Sequence, residues 1–310
     1  LDIVHEALGH MYVETGRHAE AATAFDEALR INEHNVNAML GLSETYRLQN
    51  KSEDAEAMLH AAVGLQPGNW STYASLGVFY YRQGRYAEAA EQFAEVVSIN
   101  PSYARGYSNL GSSYMMAGDF SAALSTYRKS LDVRADRLTF ANLGMMNYYL
   151  GRFDDAEAAL REAIEMAPVR HLSWSNLGDV LFVAGKQAEA RDAYATADEL
   201  LEEQLAVNPG DPGMQMDHAW IHVMLGERDE ALFDIAKALS AAPDDPYASY
   251  YEGLVYHQLG ETELALAALE RAVAKGYSKI ILKTEPLLSG LRENPRFVRI
   301  TKTNDEGREQ

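Results

Sequence analysis

A motif that returns roughly every 34 residues, nearly from end to end, limits this chain to one kind of architecture. Leu-Gly pairs recur at Leu8-Gly9, Leu76-Gly77, Leu110-Gly111, Leu143-Gly144 and Leu177-Gly178. A turn residue follows each repeat's Gly slot at fixed spacing: Gly16, Asn50, Gly84, Gly118, Gly151 and Gly185. Next comes an Ala (Ala21, Ala55, Ala89, Ala123, Ala156, Ala190) and then a bulky residue (Phe25, Leu59, Phe93, Tyr127, Leu160, Tyr194). Pro67, Pro101 and Pro168 close three of the units. On both sides of the turn residue, apolar positions fall at i, i+3, i+4 and i+7, the period of a helix with one buried face. Gly84 supplies the permissive backbone of a turn. Gly77 and Ala89 allow two helices to approach closely. Pro101 ends the second helix because it has no N–H to donate. The period therefore predicts stacked helical hairpins with a core that is a seam between neighbours.

Eight hairpins are expected, over 2–35, 36–69, 70–103, 104–136, 137–170, 171–210, 212–245 and 246–279. The sixth departs from the rule. Its terminating proline is expected near position 202 but appears at Pro209, so its second helix is about seven residues, or two turns, longer than the others. The breaker Asn208-Pro209-Gly210-Asp211-Pro212-Gly213 follows. This divides the chain into 1–210 (repeats one to six) and 211–279 (repeats seven and eight), with a kink between them left open. After Gly276-Tyr277 the period stops. Residues 280–301, with Glu285-Pro286-Leu287-Leu288 and Pro295-Arg296-Phe297, are expected to form a helical cap over the apolar edge of repeat eight. Residues 302–310 are expected to be a charged, frayed tail.

Composition narrows the function classes. Against 27 Lys and Arg stand 46 Asp and Glu, for a net charge of −19. Nucleic acid and anionic membranes select basic surfaces, so neither is expected as a partner. The global charge suits a basic or neutral peptide instead. With no cysteine there are no disulfides, thiolate nucleophiles or cysteine-ligated metals. No apolar run approaches the roughly 18–20 residues of a membrane span, and no signal peptide is visible. The chain starts at Leu1 almost in register with a repeat, as a piece of a longer protein would. A cytoplasmic location is expected, or a periplasmic one if an upstream membrane span is attached.

The repeat residues resemble those of the tetratricopeptide-repeat (TPR) family over nearly the whole chain. That resemblance implies an all-α, right-handed superhelix (an α-solenoid) of about eight helix-turn-helix repeats with a C-terminal helical cap. From Asn142-Leu143-Gly144 to Phe297 the chain further resembles the C-terminal repeat region of multidomain bacterial signalling proteins, including Ser/Thr kinases, adenylate cyclases and winged-helix regulators. The matching pieces are Glu203-Gln204-Leu205-Ala206-Val207-Asn208-Pro209, Leu269-Glu270-Arg271-Ala272-Val273 with Gly276-Tyr277, and Leu291-Arg292 with Pro295-Arg296-Phe297. This implies a regulatory or sensing module whose catalytic or DNA-binding part lies outside the chain.

In the family, a few first-helix positions of each repeat face a concave groove. One such position carries Asn109, Asn142 and Asn176 in three consecutive repeats. Each amide offers a donor and an acceptor, matching the peptide units of an extended ligand. Nearby groove positions carry Tyr81, Met115, Tyr148, Tyr149 and Phe182, an aromatic and adaptable wall. Arg105 is a lone basic candidate. No Lys occupies the positions that in relatives clamp a C-terminal carboxylate. These residues are the expected site for a peptide or partner segment. A small-molecule sensor in the same groove, and a scaffold that self-associates through its repeat ends, are the alternatives.

Enzyme signatures fail. His5 and His10 lie roughly 140° apart around a helix and cannot share a metal. His218 and His222 have the i,i+4 spacing that aligns two ligands. They occupy packing positions beside Trp220, however, and are read as core residues. Gly185-Lys186-Gln187 ends no phosphate-binding loop, and no Gly-x-Ser-x-Gly turn occurs. Asp154-Asp155 and Asp244-Asp245 stand at helix starts, where carboxylates cap N–H groups. No catalytic residue, metal site or cofactor is expected.

Overall fold

Antiparallel helix pairs follow one another in the register set by the repeat. The computed structural model describes residues 1–302; the expected tail beyond Lys302 lies outside the described residues. The first three hairpins are α1 (Asp2–Glu14) with α2 (His18–Ile31), α3 (Val36–Leu48) with α4 (Ser52–Leu65), and α5 (Trp70–Arg82) with α6 (Tyr86–Ile99). The fourth repeat supplies α7 (Ala104–Ala117) and α8 (Phe120–Val133). Then come α9 (Arg137–Tyr149) with α10 (Phe153–Met166) and α11 (His171–Val183) with α12 (Gln187–Val207). The last two hairpins are α13 (Pro212–Leu225) with α14 (Arg228–Ala241) and α15 (Pro246–Gln258) with α16 (Thr262–Ala274). The C-terminal segment holds α17 (Lys279–Thr284), the 3-10 helix η1 (Pro286–Leu291) and α18 (Pro295–Thr301). No strand occurs among the described residues.

Two compact units divide the chain, one over Leu1–Ala117 and one from Gly118 onward. The division falls within the fourth repeat, between α7 and α8, whereas the sequence suggested one near 210. Helix α12 has 21 residues where α10 has 14, so the added turns extend a single continuous helix up to Val207.

Local chemistry explains the boundaries. The turn inside each hairpin needs a left-handed residue, and Gly84 adopts φ 74° there. Asn50, in the same slot, is a non-Gly residue at positive φ (59°), a conformation that Asn tolerates better than other side chains. Asn35, Asn69, Asp136, Asp211 and Asp245 cap the first helices of their hairpins by accepting backbone N–H groups.

Packing depends on glycine-for-ring exchange. Phe25 is fully buried, and a Cβ added at Gly9 or at Gly41 would lie 2.6 or 2.4 Å from its ring. Leu160 stands against Gly144, Tyr194 against Gly178 and Leu269 against Gly253 in the same way. Each buried side chain of this size contributes about 1.5–3 kcal/mol.

A Gly-to-Ala change is therefore expected to have opposite signs at two positions. At Gly178 the new methyl would meet the Tyr194 ring at 2.6 Å. That ring is tethered by its hydroxyl to Asp179 and cannot swing away. Gly178→Ala should destabilise by about 1–3 kcal/mol. Gly64→Ala, in an exposed turn of α4 with nothing within 4 Å, should stabilise by up to about 1 kcal/mol. Urea unfolding of the two variants beside the parent measures both.

Candidate functional site

In the second unit, helices α9, α11, α13 and α15, the first of their hairpins, together with Tyr194 of α12, bring a set of aromatic donors to three acids. Tyr194 Oη and Trp220 Nε1 donate to Asp179 Oδ1 at 2.6 and 2.8 Å. Tyr251 Oη donates to Asp217 Oδ1 at 2.9 Å, and His171 Nε2 lies 3.2 Å from Asp217 Oδ2. The third acid, Glu285, comes from the C-terminal segment and is 2% exposed. Its carboxylate accepts from the Tyr148 hydroxyl, from Tyr250 Oη at 2.9 Å and from the Leu287 N–H at 3.2 Å.

Burial raises the pKa of Glu285, against the lowering effect of these donors. Burial likewise pushes Asp179 up to about 7, with the Glu285 and Asp217 charges adding to the shift. The phenols of Tyr148 and Tyr250 are raised well above 10 by burial and by the Glu285 charge, so they remain donors.

Glu285 therefore plugs η1 onto the inner helices, where η1 packs against α11 and α15. Leu288 and Leu291 are buried beneath it. Within repeat eight η1 thus packs on α15, and α18 lies on α16. Arg296 anchors α18 there through Glu263 and Glu270 at 2.9 and 2.7 Å.

Two hollows remain on either side of the docked segment. One, of about 510 Å³, is lined by Tyr149, Phe153, Phe182 and Val183 from the repeats and by Pro286, Leu287 and Arg292 from the segment, among others. The other, of about 430 Å³, is bounded by Tyr149, Phe297 and Val298 together with Lys283, Arg292 and Lys302. Tyr149 and Arg292 border both. Three basic side chains meet here in a chain of net charge −19. The local surface is thus opposite in sign to what the total charge suggests.

The residues expected to form the groove separate into two groups. Tyr81, Arg105, Asn109 and Met115 belong to the first unit, on α5 and α7. Arg105 is exposed, and Tyr81 packs edge-on against Tyr86 at 5.3 Å between ring centres. Asn142, Tyr148, Tyr149, Asn176 and Phe182 belong to the second, on α9 and α11. Asn142 and Asn176 are half-buried. Tyr148 is 1% exposed and committed to Glu285, so Tyr149 is the ring that this helix presents to the hollows. Sequence reasoning missed Asp179, Asp217, Glu285, Lys283, Arg292 and Lys302. One signal was available: Asp179 interrupts the apolar run Leu177-Gly178-Asp179-Val180-Leu181.

His218 and His222 pack against one another with ring centres 3.8 Å apart. Both Nδ1 atoms face one oxygen, Asp234 Oδ2, at 2.8 and 3.1 Å. Burial lowers the His218 pKa, but Asp198 and Asp234 outweigh it and raise the value to about 9.

Family models for the tetratricopeptide repeat match residues 12–77, 77–118, 102–168, 142–204 and 216–278. The DnaJ homolog subfamily C member 3 of Gallus gallus is 25% identical over 160 residues, covering 49% of this chain and 32% of that protein. Tetratricopeptide repeat protein 7B of Mus musculus is 32% identical over 82 residues, which is 26% of this chain and 10% of that protein. The chain thus spans about a third or less of the length of these relatives. Among solved structures, a tetratricopeptide repeat protein from Parabacteroides merdae superimposes with a TM-score of 0.58 at 16% identity, covering 92% of this chain and 98% of that one. The APC/C hetero-tetramer Cut9–Hcn1 gives 0.55 at 18%, covering 89% and 53%. At these identities the likeness establishes the fold alone.

The Asp179 shift has a defined consequence for stability. Its folded pKa lies above the unfolded value, so between about pH 4 and 7 the folded state binds more protons and stability falls as pH rises. Asn keeps the oxygen that accepts from Tyr194 and Trp220 and removes the charge. Asp179→Asn should therefore gain on the order of 2–4 kcal/mol relative to the parent on moving from pH 4.5 to pH 8. Urea unfolding at the two pH values tests this; parallel pH profiles for parent and variant would contradict it.

Proposed function

The chain belongs to the tetratricopeptide-repeat family, and from that premise we propose that it is a non-catalytic protein-binding module that captures an extended partner segment on the inner helices of its second unit. The observation carrying this reading is the pair of hollows that share Tyr149 and Arg292. Aromatic walls bind apolar side chains at low entropic cost. Lys283, Arg292 and Lys302 add a place for a carboxylate. The ligand that fits is a peptide pairing an aromatic or large aliphatic residue with an acidic one. Asn142 and Asn176, which carry no side-chain hydrogen bond among the described residues, are the backbone-reading amides on α9 and α11. In the first unit Asn109, with Tyr81, Met115 and Arg105, is proposed to form a separate peptide-reading surface on α5 and α7.

Hollows of about 430 and 510 Å³ also have the size of small-molecule sites, which supports a metabolite sensor as the second reading. Self-association is the third. Helix α1 exposes Ile3, Val4, Leu8 and Met11, an apolar face suited to stacking on a second copy. A monomeric mass by light scattering at high concentration would remove it. The resemblance around Leu269-Glu270-Arg271 and Pro295-Arg296-Phe297 supports a place as the regulatory part of a bacterial signalling protein. The genomic sequence upstream of Leu1, with or without a kinase, cyclase or winged-helix domain, decides that point.

Screening an array of acidic, neutral and basic peptides against the chain tests the binding mode. Acidic peptides with an apolar neighbour should be retained. Arg292→Glu and Tyr149→Ala should each weaken them at least about tenfold, equivalent to about 1.4 kcal/mol. Retention that is unchanged in both variants, or confined to basic peptides, would overturn the assignment. Asn142→Ala/Asn176→Ala should weaken binding without altering the charge preference.

A further inference from the structure

Outside the hollows, three side chains from two successive hairpins converge on one point. His218 and His222 stand one turn apart on α13, and Asp198 faces them from α12. Asp198 Oδ1 lies 3.2 Å from His218 Nε2 and 3.6 Å from His222 Nε2. One ligand atom from each of the three residues lies within 4.8 Å of the other two. Asp198 Oδ1 and His218 Nε2 are shut off from solvent and within ion-pair distance of each other at 3.2 Å, yet neither has a hydrogen-bond partner. Buried polar atoms are ordinarily hydrogen-bonded, and two that face each other without such a bond are placed to share a third partner.

A metal ion is such a partner. Tetrahedral zinc with bonds of about 2.0–2.1 Å to nitrogen and oxygen separates its ligand atoms by about 3.3–3.4 Å. The spacings of 3.2 and 3.6 Å bracket that value. The surrounding groups also fit. Asp234 Oδ2 faces both Nδ1 atoms at 2.8 and 3.1 Å, so each imidazole can donate Nδ1–H to it and aim an Nε2 lone pair toward Asp198. A carboxylate behind the ligating imidazole is the arrangement that fixes tautomer and ring orientation in metal sites. Glu227 Oε2, 3.6 Å from His222 Nε2 and half-exposed at the start of α14, stands where a fourth ligand or a ligand-bound water would be met. With neutral imidazoles, Asp198 and Asp234 carry two negative charges that a dication balances.

We propose that Asp198, His218 and His222 form a binding site for a divalent transition-metal ion of the zinc class, held in orientation by Asp234. Two imidazoles and one carboxylate favour Zn²⁺ or Co²⁺ over the oxygen-seeking Mg²⁺ and Ca²⁺. The ion ties α12 to the α13–α14 hairpin and replaces the protons otherwise held among these groups. Neither the peptide-binding reading nor the hollows around Tyr149 enter into this site.

Titration of the intact chain with Zn²⁺ against a chromophoric chelator of micromolar affinity, and with Co²⁺ followed by visible absorption, provides the test. The expected result is one ion per chain, with a Co²⁺ spectrum of low-coordinate nitrogen and oxygen ligation. His222→Ala should weaken Zn²⁺ at least about 100-fold, beyond the roughly 10–100-fold cost of losing an outer partner. Asp198→Asn, which keeps the shape of the side chain, should weaken binding and change the Co²⁺ spectrum even if His222→Ala fails to fold. His34→Ala, at an exposed imidazole, should leave binding unchanged. Absence of saturable binding by the intact chain overturns the proposal. So does binding that survives Asp198→Asn with its spectrum unaltered, or that is lost with His34→Ala, the mark of adventitious surface coordination.

Discussion

The seating of a large second-helix side chain against a glycine of a first helix, repeated in several of the hairpins, is the contact on which this structure depends. Phe25 lies on Gly9 and Gly41, Leu160 on Gly144, Tyr194 on Gly178 and Leu269 on Gly253. A β-carbon at any of these glycines would enter the space of the ring or leucine, so the interhelical distance and the buried volume are fixed together. Where hairpin seven places Ala219 in the glycine slot, the matching position holds the shorter, β-branched Ile235, and both are buried. Gaining a methyl on one helix while shortening its partner is the exchange that close-packed cores tolerate.

The same packing lets the second unit hold acids where isolated helices could not. Asp179, Asp217 and Glu285 each sit among tyrosine, tryptophan or histidine donors supplied by helices whose spacing the glycine contacts set. A buried carboxylate is costly unless its oxygens are met, and here phenol and indole groups meet them without countercharge. The Glu285 carboxylate joins the last segment to the inner helices, and the two hollows are the space left beside it. Charge on this protein is thus arranged locally: acid on the floor among aromatic donors, base at the rim around Tyr149.

The fold was legible in the sequence because its determinants are local. The helical period, the turn residues and the terminating prolines each act within one hairpin. Even Asn50 at positive φ and the length of α12 could be read from their slots. The candidate site was legible only in part. Tyr149 and Phe182 line one hollow, at positions that the repeat pattern had already marked as inner-facing. Tyr148 was assigned to the same face, but its hydroxyl is taken up by a residue 137 positions later, a pairing that no periodicity encodes. The basic rim escaped notice because Lys283, Arg292 and Lys302 lie where the repeat has already stopped, and the total charge pointed the other way. His218 and His222 showed the spacing of a ligand pair, yet Asp198 and Asp234 come from the helices on either side of α13. Their convergence is a property of the packing.

Glu285 holds the segment 285–291 on the inner helices and so defines the hollows beside it. Hydrogen exchange of the amides of η1 in the intact protein, compared with those of α11 and α15, tests it most directly. Protection of the Leu288 and Leu291 amides comparable to those helices, and lost in Glu285→Ala, is the predicted result. Exchange of the same amides at the rate of an unstructured chain, or protection that Glu285→Ala leaves intact, would contradict it.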